Sequence, residues 1–321
     1  MTPQTKAHLG MLLWALIVGM SFPVVGLLSP ELPPLTLTAL RFLVATLAML
    51  PFLRGQGPLL PQARGLILYA LMGLCLAAFF AAMFWVAHRT TALTMAVLYV
   101  SVPFSAYGAG RCLGVEARDG ALLGLLATGA LGALLLAGAE GGQERLGGLV
   151  FGWNETLYFL GCTASALYPV LSKYGLKKGW LSTSPAIRTS WSLAVGCVLI
   201  ATLAVALEPV SLMAQASATD LLLIAYLGVF SSGATFWLIQ SGTGALTPGV
   251  VTAYSYLVPF VSAGLLLANN PRSLGLQWLA GAALVAVAIT RLMARDKLGV
   301  PDARPVAATS SGQPATRRSD A

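Results

Sequence analysis

The chain has 321 residues, of which 57% are hydrophobic and only 9% are charged, and its mean hydropathy is +0.80. No soluble domain could bury so much apolar surface in one core, so the composition excludes a soluble protein and indicates a membrane protein. The net charge of +8 could suggest a nucleic-acid partner, but the positions of the basic residues argue against one.

Ten apolar runs follow one another along the chain, separated by short polar or Pro/Gly segments. Each is close to the roughly 20 residues that a helix needs to cross the hydrocarbon layer. Because the loops are short, we expect consecutive helices to be antiparallel neighbours. The predicted helices 1 to 10 cover residues 9–28, 33–53, 66–86, 92–111, 119–138, 154–173, 187–207, 220–240, 245–267 and 276–294.

The basic residues are distributed unequally between the two sides that ten crossings would create. With the amino terminus in the cytoplasm, Arg89, Arg145 and Arg272 lie outside, whereas most of the others lie inside. This is the bias of the positive-inside rule, and an odd number of crossings would destroy it. The pattern predicts a multi-pass protein of the inner or plasma membrane with both termini in the cytoplasm. The residues on the inside are Lys6, Arg54, Arg64, Arg111, Arg118, Lys173, Lys177, Lys178, Arg291, Arg295, Lys297, Arg304, Arg317 and Arg318.

The segments outside the apolar runs are short. Residues 1–8 form a cytoplasmic amino terminus without a recognisable cleavage site, which predicts a retained first helix rather than a removed signal peptide. Residues 139–153 form a linker, and residues 295–321 are polar and predict a disordered cytoplasmic tail. The four cysteines show no paired spacing, so they predict neither a disulfide framework nor a metal site.

The two halves of the chain repeat each other in four segments. "GMSFPVVG" is followed by "SALYPVLS", "TALRF" by "PAIRT", "FWVAHRTTALT" by "FWLIQSGTGALT", and "VSVPFSA" by "YLVPFVSA". The spacing between matched positions grows only from about 146 residues, Pro23 to Pro169, to about 156, Pro103 to Pro259. We interpret the chain as two copies of a five-helix unit, residues 9–138 and 154–294. Because five is odd, the second copy enters the membrane from the opposite side, and inverted repeats of this kind are typical of transporters.

Several of these segments resemble one family of membrane proteins. They are "SFPVV", "ALRFLVATLAMLP", "ALTMAVLYVSVPF" and "ALTPGVVTAYSYLVPF". Between about residues 9 and 294, the chain is similar to the EamA branch of the drug/metabolite transporter superfamily. The resemblance implies an all-α membrane protein with ten helices around a central cavity, lined chiefly by helices 1, 3, 4, 6, 8 and 9. It also implies outward movement of small organic metabolites, and no cofactor is expected.

Aromatic residues and prolines are the candidate site residues on the helices that the resemblance assigns to the cavity. Aromatic faces could hold an amine by cation–π contact or a ring by stacking, although Trp85 and Trp237 near helix ends could equally be interfacial residues. Intramembrane prolines free backbone carbonyls and could act as hinges or only shape packing. The predicted substrate-binding residues are Ser21, Phe22, Phe84, Trp85, Tyr99, Tyr168, Phe236, Trp237 and Tyr254, and the predicted hinges are Pro23, Pro103, Pro169 and Pro259.

Three charged residues within or beside the apolar runs are possible contacts for a charged substrate group. Arg41 and Arg188 occupy matching positions in helices 2 and 7, and each could be a membrane anchor, an interhelical brace or a contact for a substrate carboxylate or phosphate. Glu155 opens helix 6, where a carboxylate complements the helix dipole, so capping is the simpler role for it.

The leading functional hypothesis is a secondary transporter of amino acids, amines or similar amphipathic solutes. The main rival is a sugar or phosphate-ester carrier, which would require basic residues in the cavity, and we expect no lysine within a span. An intramembrane enzyme is less favoured because paired acids or a His/Asp set at membrane depth are missing from the sequence, so no catalytic residue is predicted. Gly120 and Gly124 form a GxxxG, with Gly129 and Gly132 beyond, which fits either a homodimer or internal packing of a monomer.

Overall fold

A computed structural model describes residues 1–87, 89–140, 152–269 and 277–297, and every regular element within these ranges is a helix. The predicted all-α class is therefore confirmed for this part of the chain. Most of the predicted linker and of the predicted tail, residues 141–151 and 298–321, lies outside the described residues.

The α-helices occur where the apolar runs predicted them. Three of the runs also contain other helical turns: a 3₁₀ turn at Leu50–Leu53, a π-helical stretch at Leu227–Ala234, called the π segment below, and a 3₁₀ turn at Tyr254–Leu257. The α-helices are α1 (Pro3–Val25), α2 (Pro34–Met49), α3 (Ala63–Val86), α4 (Ala92–Tyr99), α5 (Val102–Cys112), α6 (Gly120–Glu140), α7 (Trp153–Lys177), α8 (Pro185–Leu207), α9 (Ala218–Tyr226), α10 (Thr235–Ala245), α11 (Pro248–Ala253), α12 (Val258–Asn269) and α13 (Gln277–Lys297).

Nine helical segments in the described ranges are long and apolar enough to cross a membrane. They correspond to all the predicted helices except helix 6. That helix, α7, has 25 residues but is less apolar, because it carries several hydroxyl and tyrosine side chains and the charged residues Glu155, Lys173 and Lys177. Lys173, the last residue of predicted helix 6, lies one turn inside the end of α7.

The polarity of α7 agrees with its position among other helices. It packs against α3 along its length and also contacts α4, α5, α10 and α11. Its side chains at Cys162, Ala166, Tyr168, Val170 and Ser172 are buried. A helix that faces other helices on most sides needs fewer lipid-compatible residues than a helix at the surface of a bundle.

The ends of the helices differ from the predicted ends where capping residues decide them. Helix 1 was expected to begin at residue 9, but α1 begins at Pro3, because the Thr2 hydroxyl accepts a hydrogen bond from the amide of Thr5 and proline is favoured in a first turn. Similarly, the Ser184 hydroxyl accepts from the amide of Ile187 and α8 begins at Pro185. Apolarity is not needed in a capped first turn, so hydropathy does not locate it.

Two of the predicted helices are interrupted. Helix 4 is divided into α4 and α5 at residues 100–101, immediately before Pro103, and helix 9 is divided into α11 and α12 by the 3₁₀ turn immediately before Pro259. Pro23 and Pro169, in contrast, lie inside continuous helices. Proline lacks the amide hydrogen that would bond the preceding turn, so all four prolines weaken their helices, but only Pro103 and Pro259 coincide with breaks.

Four of the glycines of α6 form two pairs with different surroundings. A Cβ atom on Gly132 would lie 2.7 Å from the carbonyl oxygen of Gly281 on α13, and one on Gly129 would lie 2.5 Å from the ring of Tyr256. Gly120 and Gly124, in contrast, have open space where a Cβ atom would lie. Gly129 and Gly132 are therefore used in internal packing, whereas Gly120 and Gly124, which form the GxxxG pair, are not.

Candidate functional site

A buried polar cluster joins α7, α8 and α10. Arg188 is completely buried and donates from Nε to Oε1 of Gln240 at 2.9 Å and from Nη2 to the Gln240 carbonyl at 2.6 Å. Its Nη1 donates to the carbonyls of Ser182 and Thr183 at 2.6 and 2.9 Å. Oε1 of Gln240 also accepts from the Ser172 hydroxyl at 2.6 Å. All three nitrogens of Arg188 are occupied by protein acceptors, so its contacts are those of an interhelical brace.

Arg188 reaches these acceptors because it lies in the first turn of α8. The chain ahead of that turn is non-helical, and its carbonyls at Ser182 and Thr183 are not used by a helix. The Ser192 hydroxyl, one turn later, lies 3.0 Å from the Tyr168 hydroxyl and donates to the Arg188 carbonyl at 2.8 Å. The predicted site residues Tyr168 and Arg188 are thus linked through Ser192.

An aromatic cluster lies beside this polar cluster. The Tyr168 ring is 5.6 Å from the ring of Phe236, which in turn is 6.0 Å from Phe42, and Phe42 is 5.2 Å from Phe80. These three pairs have edge-to-face geometry, which is the preferred arrangement of aromatic rings. Phe84 continues the row at 6.4 Å from Phe80. Tyr168, Phe236 and Phe84 are therefore the predicted aromatic residues that the structure brings together.

A second buried polar group surrounds Arg41 on α2, which packs against the π segment. Arg41 is only 8% exposed, and its Nη2 donates to the hydroxyls of Ser231 and Ser232 at 3.1 and 3.4 Å. Its Nε is buried and has no hydrogen-bond partner. The side chain therefore lies between α2 and the π segment.

The close approach of α2 to the π segment depends on small residues. A Cβ atom on Gly228 would lie 2.6 Å from side-chain atoms of Val44 and 3.1 Å from the carbonyl oxygen of Arg41. Glycine at this position lets the two helices touch, which brings Ser231 and Ser232 within reach of the guanidinium group. Single π turns inside α-helices occur frequently at functional sites.

Among the other predicted aromatic residues, Tyr99 is connected to the cluster through Phe79, which lies 5.4 Å from Phe80, and the rest lie outside the cluster. Phe22, Trp85 and Trp237 are each at least 40% exposed. The guanidinium group of Arg89 lies over Trp85, 4.0 Å from the centroid of the Trp85 ring. Tyr99 packs against Phe79. Two further predicted residues are engaged elsewhere: the hydroxyl of Tyr254 is 2.6 Å from Nδ1 of His8, and the hydroxyl of Ser21 donates to the carbonyl of Ile17.

Glu155 has the contacts of a capping residue. One carboxylate oxygen accepts from the amide of Gly152 at 2.9 Å, and the other accepts from the hydroxyl of Thr90 at 2.7 Å. Its position in the first turn of α7 suits the helix dipole, and it ties the start of α7 to the segment after α3.

Polar contacts join residues in the loops and near the ends of the helices. We divide these contacts into two sets according to the helix ends that they join. In the first set, which we call the Asp220 set, loop and end segments pair as Ser29 with Asp220, Thr36 with Glu208, and Thr90 with Glu155. In the second, the Glu116 set, the pairs are Gly249 with Glu116, Gly114 with Lys177, Ser182 with Tyr69, Asp119 with Arg295, and His8 with Tyr254.

Asp119 is the carboxylate of the ion pair in the Glu116 set. Its partial burial acts to raise the pKa, but the hydrogen bond from Arg295 and those from the amides of Leu122 and Ala121 outweigh burial, so the pKa of Asp119 lies below its ordinary value. The carboxylate therefore stays charged, and it holds the end of α13 against the start of α6.

Gln240, Ser231 and Ser232 were not identified from the sequence. Gln240 is the last residue of predicted helix 8, whereas α10 continues to Ala245 and buries it completely. A signal was available in the concentration of polar residues in "FSSGATFWLIQSGTG", which is unusual for a membrane helix. In the described ranges, His, Cys, Asp and Glu residues form no group of three that could hold a metal ion.

Comparison with known proteins identifies similar chains. Residues 5–138 match the EamA-like transporter family. Over 288 residues the chain is 29% identical to the uncharacterized inner membrane transporter YedA of Escherichia coli strain K12 and of Escherichia coli O157:H7, with 86% of this chain and 88% of YedA covered. A protein of known crystal structure, 19% identical, superposes with a TM-score of 0.71 over 92% of this chain and 98% of its own, which shows a shared fold.

Proposed function

We propose that the chain, whose residues 5–138 match the EamA-like transporter family, is a secondary transporter of that family that exports small organic metabolites by alternating access. The proposed substrates are amino acids, amines or similar amphipathic solutes. The proposed architecture has ten crossings in two inverted five-helix units, residues 9–138 and 154–294, around a central pathway. The match to this family favours transport over an enzymatic function.

The packing of the helices is the observation that carries this proposal. If the two units are exchanged, α1 replaces α7, α2 replaces α8, α3 replaces α9–α10, α4–α5 replaces α11–α12, and α6 replaces α13. The contact of α3 with α7 then corresponds to that of α1 with α10, and the contact of α5 with α7 to that of α1 with α12. The pairs α2 with α8 and α6 with α13 correspond to themselves. An interchangeable pattern of this kind supports a twofold relation between the units.

The contacts between helix ends support ten crossings. If each predicted helix crosses once, every pair in the Asp220 set joins segments on one side of the membrane, and every pair in the Glu116 set joins segments on the other. The two ends of α7 belong to different sets, which supports a crossing by this helix despite its polarity. The positive-inside bias assigns the Glu116 set to the cytoplasm, and with it both termini.

In the proposed mechanism, the interruptions before Pro103 and Pro259 are the places where α4–α5 and α11–α12 bend. They lie at matching positions of the two units, so bending at one and then the other would open the pathway to each side in turn. Pro23 and Pro169 are proposed as the second pair of hinges. Substrate contacts are proposed chiefly for Tyr168, Phe236 and Phe84, which belong to the aromatic cluster, and Tyr168 is linked to Arg188 through Ser192.

The proposal is tested by reconstituting the full chain in liposomes and measuring uptake of labelled amino acids, amines, sugars and sugar phosphates. We expect saturable uptake of amino acids or amines above the level of protein-free liposomes. Release from preloaded cells that express the chain, compared with cells that carry an empty vector, tests the outward direction. Folded protein that moves none of these solutes would contradict the proposal, and uptake of sugar phosphates alone would favour the rival carrier.

A further inference from the structure

Arg41 differs from the other buried arginine in how its positive charge is accommodated. Arg188 is surrounded by acceptors, including three backbone carbonyls, and each of its nitrogens has a partner. Arg41 donates from Nη2 to two neutral hydroxyls, and its Nε is buried without a partner. A buried cation without a counter-ion is costly, especially at membrane depth. The described contacts of Arg41 therefore leave a charge and a donor unsatisfied.

The surroundings of Arg41 are suited to a small anionic group. Ser231 and Ser232 belong to the π segment, and both hydroxyls approach the same guanidinium nitrogen. Hydroxyls can turn their hydrogen toward an anion, and the planar guanidinium group matches the two oxygens of a carboxylate. Ser232 is completely buried, whereas Ser231 is partly exposed. The cluster of Arg41, Ser231 and Ser232 is therefore partly accessible and is not completely enclosed in the core.

The matching region of the first unit does not provide a second site of this kind. Helix 3 is α-helical throughout Ala63–Val86, whereas its counterpart, helix 8, contains the π segment. Phe84 and Trp85 match Phe236 and Trp237, and counting back along the two helices places Phe79 and Phe80 opposite Ser231 and Ser232. The hydroxyl pair is therefore a feature of the second unit, and it faces the arginine of the first.

The neighbouring rings provide an apolar side to the same region. Phe42 follows Arg41 in sequence, Phe236 follows Ser232 by one turn, and the two rings are 6.0 Å apart. A solute that combined a negative group with an apolar part could contact both. A phosphate ester, which carries about two negative charges, would be matched less well, because each nitrogen of the other buried arginine already has a protein acceptor.

We propose that Arg41, with the hydroxyls of Ser231 and Ser232, binds the carboxylate of the transported solute. This inference rests on the proposed transport function and narrows its substrate class to carboxylate-bearing solutes, such as zwitterionic amino acids. Arg41 and the two serines are specificity-determining residues, whereas Arg188 is the brace that holds α8 against α10.

The test compares matched solutes with and without a carboxylate. The probes are L-leucine and L-phenylalanine and their amides, which keep the side chain and amine but lack the negative charge. Binding is measured on the full chain in detergent from the concentration dependence of thermal stabilisation, and transport is measured as uptake into proteoliposomes. For the unaltered chain we expect at least one acid to bind at least about tenfold more tightly than its amide, as befits a hydrogen bond to a charged group.

The variants separate the carboxylate site from general effects on the protein. Arg41→Gln is expected to abolish the preference for the acid, and Arg41→Lys to keep part of it. Ser231→Ala and Ser232→Ala reduce the preference several-fold while the charge remains, so they provide a test even if an Arg41 variant fails to fold. Arg111→Gln, at an exposed arginine of α5, is the matched control and should leave the preference unchanged.

The outcomes distinguish this inference from the function on which it rests. If the unaltered protein transports acids and amides equally, or if the preference for acids survives in Arg41→Gln, the carboxylate site is overturned while the transport function stands. If the folded protein neither binds nor transports any of the probes while it transports amines, the carboxylate site is again overturned. Failure to transport any solute in the wider screen would overturn the transport function and this inference together.

Discussion

Two arginines at matching positions of a duplicated sequence have acquired different surroundings. Arg188 lies in a first turn, where non-helical carbonyls are close, and Arg41 lies two turns into α2, where the preceding carbonyls are used by the helix. The carbonyls of Ser182 and Thr183 that occupy Arg188 have no counterpart among the contacts of Arg41. The position of each arginine relative to the start of its helix therefore decides whether each of its nitrogens has an acceptor. The residue type does not decide it.

This difference predicts opposite effects on stability. Arg188→Gln should lower the free energy of unfolding by roughly 3 kcal/mol, because it leaves Gln240 and two carbonyls buried without their charged partner. Arg41→Gln should change it little or raise it, because it removes an uncompensated buried charge. Thermal unfolding in one detergent, followed by tryptophan fluorescence, measures both. Equal losses of stability in the two variants would show that Arg41 is also a structural brace.

At the scale of whole elements, helix α6 shows how small residues divide between packing and open surface. Gly132 faces the backbone of α13 so closely that even a methyl group would meet a carbonyl oxygen, whereas Gly124, two turns earlier, faces open space. The contact of α6 with α13 is among the most extensive in the molecule. It joins the last helices of the two proposed units.

A pair of alanine substitutions on α6 should separate these two environments. Gly132→Ala should destabilise the protein by roughly 1–3 kcal/mol, because α6 and α13 must move apart to admit the methyl group. Gly124→Ala is the matched control, and it should leave stability unchanged or slightly raised, since alanine favours the helix. Thermal unfolding measures the comparison. If Gly124→Ala were the more damaging change, its surface would have to be covered, for example by a second copy of the chain.

The predictable and unpredictable parts of the fold differ in physical origin. Ten helical segments could be predicted because crossing a bilayer demands long apolar runs, which the sequence displays directly. The π segment and the break at residues 100–101 could not, since they depend on hydrogen bonding and on neighbouring helices. For the site, Arg41 and Arg188 were visible as charges in apolar surroundings. Phe22 and Trp237 are 56% and 40% exposed and lie outside the aromatic cluster, because the sequence indicated the helix and not the face.

At the scale of the whole molecule, the two sets of end contacts describe two rims. Each rim joins segments from both halves of the chain: Ser29 bonds Asp220 in one, and Glu116 bonds Gly249 in the other. In the proposed mechanism, a change from one access state to the other requires contacts at one rim to separate while those at the other persist. In this mechanism, the contacts at the rims therefore couple the conformation of one proposed unit to that of the other.

Labelling from each side of the membrane tests this arrangement. In a cysteine-free variant, Pro30→Cys and Gln215→Cys are expected to react with a membrane-impermeant maleimide added to intact cells, because they lie beside the Asp220 set. Gln56→Cys, in the segment between α2 and α3, and Arg118→Cys, beside the Glu116 set, should react only after the membrane is opened. All four positions are exposed. Reaction of Pro30→Cys and Gln56→Cys from the same side would mean that α2 does not cross.

The unequal exposure of the native cysteines has a practical consequence. Cys75 and Cys162 are buried and Cys197 is half-buried, whereas Cys112 is exposed at the end of α5. Two residues farther on, the Gly114 carbonyl accepts a hydrogen bond from Lys177. A fluorophore attached to Cys112 would therefore sit beside a contact between the two halves of the chain. The unmodified polypeptide carries its own attachment point for an optical reporter, which could follow the separation of α5 from α7 as solute is added.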